Sequence, residues 1–184
     1  SVTLTEARFR SDVDASALSV AQSLVGRGAE FHGGDNIEDA DASFADADIG
    51  GRLDLRDAAF RGAVFDGIRV SGTTRLEGVQ FARDASFTAA AFGSRVGLDE
   101  ARFRGDTDFS DATFTGHVAC RGAAFEGEDH VTEDDVTFAG AFFEAGGDFD
   151  HAQFRYGSFE AVPFGVPAAV SYSPLPLPTA PSLS

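Results

Sequence analysis

The chain of 184 residues has no Lys, no Trp and no Met, and only one Cys. A single cysteine excludes an intramolecular disulfide framework. No apolar run is long enough to span a bilayer, and no signal-peptide pattern is present, so a cytoplasmic protein is expected. The chain opens at Ser1, which initiator removal and a missing upstream segment would explain equally well. Proline is absent before position 163, and all six Pro lie between Pro163 and Pro181. That composition marks 166–184 as a Pro-rich tail favouring extended or polyproline II structure. The tail is either a disordered segment or an arm that caps the last turn of the fold or docks on a partner. No P-loop, Rossmann fingerprint, zinc spacing or Ser-His-Asp constellation occurs. No catalytic, cofactor-binding or metal site is therefore assigned, and the chain reads as a non-enzyme.

With Lys absent, 14 Arg face 20 Asp and 10 Glu, a net charge of −16. An Asp excess without Lys suits a high-salt cytoplasm, where dense carboxylates hold water and their repulsion is screened. An acidic surface that imitates DNA is the competing reading. Either way, phosphates would be repelled, so direct nucleic-acid binding is not expected.

What the chain does have is a ladder. A bulky residue returns every five or six positions, as in Leu76, Phe81, Phe87, Phe92, Leu98, Phe103, Phe109 and Phe114. Two positions before each stands a small or β-branched residue, such as Thr74, Val79, Ala85, Ala90, Val96 or Ala101. In extended chain, residues i and i−2 point the same way. Each step is thus a short strand with two inward side chains, then a turn, and repetition of this kind signals a solenoid. About thirty slots at four per coil make about seven coils, a rod on the order of 35 Å long. The Phe rings should form ladders inside, with Ala opposite them in a narrow lumen. Glycines such as Gly62, Gly105, Gly116 and Gly127 should free the backbone at corners. A helical excursion across 17–25 stays open, because Leu18, Ala21, Leu24 and Val25 also share helical spacing. Phase breaks around 38–43 and 126–135 read as insertions, and only Phe142 of 19 Phe misses a slot.

Ala58-Ala-Phe60-Arg-Gly62, Ala101-Arg-Phe103-Arg-Gly105 and Ala112-Thr-Phe114-Thr-Gly116 carry a resemblance to the pentapeptide-repeat family. The resemblance spans roughly 2–164 and implies an all-β fold, a right-handed quadrilateral parallel β-helix occupying 1–165. This chain prefers Phe where the family consensus has Leu, and its alternate six-residue steps widen the coil to about 22 residues. The family's quinolone-resistance members imply one function, mimicry of DNA toward a type II topoisomerase. Those members dimerise through a C-terminal element, in whose place this chain has its Pro-rich tail.

Candidate chemistry is sparse. Cys120 occupies an inward slot, where a thiolate is disfavoured. His32, His117, His130 and His151 share no catalytic spacing. The acidic stretch Glu126 to Asp135 could suit Ca²⁺ but matches no EF-hand loop, and Gly146-Gly-Asp-Phe-Asp150 is a fragment of a calcium-solenoid pattern. The first reads as a solvated acidic loop in preference to a cation site. The expected function is a structural or protein-interaction scaffold, with a protein partner or self-association through the solenoid's faces or ends. The end nearest Val2 and Leu4 is the one expected to meet a partner, since Pro blunts the other. Sixteen excess negative charges also make stability depend on salt. The melting temperature should rise between dilute buffer and molar potassium chloride, and an unchanged value would remove the salt-adaptation reading.

Overall fold

A computed structural model describes residues 1–33, 41–127, 136–155 and 157–158. Their regular structure is 27 strands of two residues each, arranged in four parallel sheets. Side 1 stacks Val2–Thr3, Leu24–Val25, Leu53–Asp54, Thr74–Arg75, Val96–Gly97, Val118–Ala119 and Gly147–Asp148, and these strands begin coils 1 to 7. Side 2 runs from Arg8–Phe9 to Gln153–Phe154, side 3 from Val13–Asp14 to Gly157–Ser158, and side 4 from Ser19–Val20 to Phe142–Phe143. Each strand pairs in register with its neighbours one coil above and below, as Thr74 does with Leu53 and Val96. The fold is a quadrilateral parallel β-helix. The stretch 17–25, open to a helix by its spacing, holds strands Ser19–Val20 and Leu24–Val25 instead.

The corners explain the alternating steps. Between sides 1 and 2, and between sides 3 and 4, the chain makes a tight β-turn closed by an i+3 to i hydrogen bond. The Ala7 N–H donates to the Leu4 carbonyl at 3.0 Å, and the Ala101 N–H to that of Leu98 at 3.0 Å. The third residue of these turns has positive φ, and Glu6, Ala17, Asp57 and Asp111 take it as well as glycines do. At the other corners the requirement is different. A Cβ on Gly105 or Gly116 would lie 2.3 Å from backbone carbon of the coil beneath, so glycine is there for close stacking. Of the corner glycines expected from the sequence, Gly127 alone has positive φ, at 58°.

Inside, the slots carry what the ladder predicts. Phe31, Phe60, Phe81, Phe103 and Phe125 stack up side 2, and Phe44, Phe65, Phe87, Phe109 and Phe138 up side 3. Stacked centroids lie between 4.5 and 5.3 Å apart, matching a coil pitch of about 4.8 Å. The expectation of Ala opposite Phe fails. The two Phe columns meet edge to face, as Phe60 does with Phe65 at 5.8 Å and 79°, an arrangement that aromatic quadrupoles favour. Alanines instead take the first slot after most tight turns on side 2, as Ala29, Ala58, Ala101 and Ala123 do, all fully buried, while Val79 takes it in coil 4. Phe142, outside the ladder, is the large apolar residue exposed among those described, at 36%.

Both interruptions fall at the corner between sides 2 and 3. One lies between Phe31 and Ala42, the other between Phe125 and Val136. The strand Ala42–Ser43 moves the first of them ahead of the 38–43 boundary suggested by the polar run. The acidic stretch 128–135, His130 within it, and the tail 166–184 lie outside the described residues. In coil 3, above the first interruption, the same corner is one residue shorter, going from Ala59 to Ala63 where coil 4 goes from Gln80 to Ala85. Asp41, 3% exposed, occupies that space, its carboxylate 3.8 Å from the Arg61 guanidinium.

Two hydroxyls stand in slots made for hydrocarbon. Thr74 Oγ1 and Thr107 Oγ1 are buried without a hydrogen-bond partner, and Thr107 is flanked in its ladder by Ala85 and Val136. Thr107→Val should raise stability by about 1 kcal/mol in a denaturant titration, because an unsatisfied buried hydroxyl is removed at constant shape. Phe103→Ala should cost roughly 3–5 kcal/mol through the cavity it leaves. Arg104→Ala, one position on and exposed, should cost less than about 0.5 kcal/mol.

Candidate interaction surfaces

With the lumen filled, chemistry is confined to the outward residue of each strand and to the corners. Side 1 carries ion pairs that clamp one coil to the next. Asp54 is fully buried beneath two arginines. Arg27, one coil below, donates from Nε and Nη2 to Oδ2 at 2.8 and 2.6 Å, and Arg56 donates to Oδ1 from Nε at 2.9 Å. Burial works to raise the Asp54 pKa, but the guanidinium hydrogen bonds and charges of Arg56 and Arg27 outweigh it and hold the carboxyl at about 2. Four coils higher Arg121 Nε meets Asp148 Oδ2 at 2.8 Å. There the residue corresponding to Arg56 is Asp150, and the pair is half exposed.

Side 2 bears arginines in its outward columns, among them Arg8, Arg10, Arg102 and Arg104, all exposed. Side 3 is lined by hydroxyls and carboxylates that bond from coil to coil. Ser16 and Ser43 share a hydrogen bond at 2.8 Å, the Ser86 hydroxyl donates to Asp66, and the Thr88 hydroxyl donates to Asp108 at 3.2 Å. Side 4 is mixed, with Ser19, Asp48, Arg69, Ala91 and Thr113 outward and Phe142 on its last described strand.

The residues weighed for chemistry on sequence grounds are not brought together. Cys120 is buried in the lumen, and burial, with Asp99 and Asp148 nearby, pushes its thiol far above the ordinary range. His32, His117 and His151 are exposed on different coils, His32 beside Glu30 at 3.1 Å and His151 beside Asp150 at 3.2 Å. Among the described residues no group of three His, Cys, Asp or Glu is placed to hold a metal. Of the glycine-rich fragment 146–150, Gly147–Asp148 is a strand and Asp148 is taken by Arg121. Among the described residues no helix is long and apolar enough to cross a membrane.

A longer repeat emerges from the register. Coil 1 at Val2 corresponds to coil 5 at Val96, coil 2 at Leu24 to coil 6 at Val118, and coil 3 at Leu53 to coil 7 at Gly147. The offset is 94 residues, or four coils, each time. It places both interruptions at equivalent corners, and Arg27 with Asp54 maps onto Arg121 with Asp148. The sequence signal is plain once sought. Val2-Thr-Leu-Thr-Glu-Ala-Arg-Phe-Arg10 returns as Val96-Gly-Leu-Asp-Glu-Ala-Arg-Phe-Arg104.

The two ion pairs should respond differently to acid and to substitution. A carboxylate held below its unfolded pKa contributes stability that is present above pH 4 and is lost as pH falls toward 2. Asp54→Asn should therefore cost about 3 kcal/mol at neutral pH and flatten the acid limb of the stability curve. Asp148→Asn should cost less than about 1 kcal/mol. Urea titrations from pH 7 to 2 compare them directly.

No protein-family model matches the sequence, and no curated protein does either. Among solved structures, similarity is found to a trypsin-treated form of QnrB1, a plasmid-mediated fluoroquinolone resistance protein. Identity is 15%, coverage is 85% of this chain and 91% of that one, and the TM-score is 0.34. HetL, a pentapeptide-repeat protein involved in heterocyst differentiation regulation from the cyanobacterium Nostoc sp. strain PCC 7120, is 14% identical over 83% of this chain and 85% of its own, with a TM-score of 0.20. The fold assignment rests on the chain's own geometry. With four parallel sides, two inward slots per side and coils of about 22 residues stacked in register, the chain has the quadrilateral β-helix architecture that its resemblance to pentapeptide-repeat proteins implies.

Proposed function

We propose that the chain is a non-catalytic interaction scaffold, a rigid rod whose sides present fixed rows of side chains to a protein partner. One observation carries this reading. A single repeated interior supports exteriors of different chemistry: ion-paired side 1, arginine-bearing side 2, hydroxyl-rich side 3 and a side 4 that mixes small and charged residues. Repeat solenoids work through such extended surfaces. The Asp-rich, Lys-free composition supports a salt-adapted, cytoplasmic setting.

A second reading, DNA mimicry toward a type II topoisomerase, is favoured by the net charge of −16. It is weakened by the interleaving of arginines on side 2 with the carboxylates. Affinity co-purification from the native source in its own salt, beside a gyrase supercoiling assay, separates the two. A stable protein partner with supercoiling unaffected supports the scaffold. Inhibition of supercoiling at stoichiometric protein would favour mimicry instead.

A further inference from the structure

The four-coil duplication sorts the surface. Inward residues recur because the lumen requires them, and Arg27 with Asp54 recurs because it bridges coils. Exposed side chains without such duties drift at little cost, since most surface substitutions change stability by about 0.5 kcal/mol or less. Between the two halves they have drifted: His32 against Glu126, Asp48 against Phe142, Asp57 against His151.

One band has not. Coil 1 carries Glu6, Arg8, Arg10 and Asp12 outward across the turn and side 2, and coil 5 carries Glu100, Arg102, Arg104 and Asp106 in the same positions. Coil-to-coil packing does not account for the recurring arginines. Arg8 reaches Glu30 at 3.1 Å, yet the counterpart of Glu30 is Ala124, so that ion pair cannot be why Arg102 recurs. Glu6 and Glu100 stand at φ 57° and 59°, where coils 2, 4 and 6 use Gly28, Gly78 and Gly122 and coils 3 and 7 use Asp57 and His151, so the turn does not itself require glutamate. By contrast, Asp14 with Ser16 and Asp108 with Ser110 recur for a local reason, each carboxylate accepting the serine N–H.

We propose that these bands are two copies of one protein-docking site, set four coils and so about 19 Å apart along side 2. The partner is a protein presenting a matching pair of carboxylate-centred contacts, as a dimer or a tandem repeat does. This rests on the scaffold reading and gives it a surface. The arginine pair at the centre of each band selects an anion, and guanidinium groups bind carboxylates bidentately. The Glu and Asp at the band's ends select a discrete carboxylate over a continuous polyanion, because a phosphate backbone would meet repulsion at both. A second copy of this chain does not fit. Placing side 2 against side 2 about either in-plane two-fold axis lays arginines on arginines.

The test uses a defined probe, a peptide with an Asp-Asp centre flanked by Lys, offered singly or as two arms. A Gly/Ser linker of about 12 residues joins the arms, with a mean span of about 19 Å. In calorimetry the single arm should bind at two equal sites. The two-armed peptide should bind one to one and at least tenfold more tightly. Arg8→Gln with Arg10→Gln, or Arg102→Gln with Arg104→Gln, should each leave one site and abolish the gain, while the matching Lys variants retain part of it. These positions are exposed, and an unchanged melting temperature certifies the variants. Absence of binding, a single site, or a gain that survives both double variants overturns the proposal. Cross-linking in native extract distinguishes the levels. Cross-links indifferent to both double variants sink the bands and leave the scaffold, and no cross-link from the wild type sinks the scaffold itself.

Discussion

Everything in this molecule depends on one coil lying directly over another at backbone hydrogen-bond distance. Each strand is only two residues long and could not persist alone; it is held because its N–H and C=O groups are shared with the coils above and below. That vertical pitch decides the side chains. Phe rings repeat at the distance at which flat rings stack, so a column of Phe satisfies ladder and core together. The same pitch leaves no room for a Cβ at Gly105 or Gly116, where backbones of successive coils come closest. It also brings Arg27 over Asp54, so the outer surface can add ion pairs that run along the rod rather than around it.

The interior was legible because it is a periodic demand, and the ladder marks nearly every slot from Val2 to Phe154. What misled was composition read without geometry. Abundant Ala suggested a lumen too narrow for facing Phe columns. Yet sides 2 and 3 meet at a corner, where edge-to-face contact accommodates both, and Ala follows from the tight turn beside it. Glycines are expected to free the backbone at corners, whereas at most tight turns Glu, Asp, Ala or His takes positive φ and several corner glycines serve close approach. Leu18 to Val25 matched a helix over one short window, but the coil period overrides it because those residues must register with coils on both sides.

The outward residues follow no period that folding requires, so the candidate surface was not legible in the same way. The burial of Asp54 could not be read from an outward slot. It depends on two arginines from different coils converging on it, and the short repeat hides that spacing. The longer duplication was present in the letters throughout, as Glu-Ala-Arg-Phe-Arg at coils 1 and 5. A five- and six-residue rhythm masks it, because every coil resembles every other in its inward half. Only after the inward half is explained by packing do the outward identities stand out as unexplained.

The proposed salt adaptation and the proposed docking bands also belong together physically. In molar salt the Debye length shrinks to about 3 Å, so a net charge of −16 neither steers nor repels a partner at a distance. Recognition must then come from contact, through guanidinium groups close enough to hydrogen-bond a carboxylate, and each such contact at an exposed site is worth little alone. Two equivalent contacts on a stiff rod change that balance. Once the first forms, the second is presented at fixed distance with little further entropy to lose, and the affinities combine without any new chemistry. A solenoid provides the stiffness, a whole number of coils sets the spacing, and duplication supplies the second contact in the same orientation as the first.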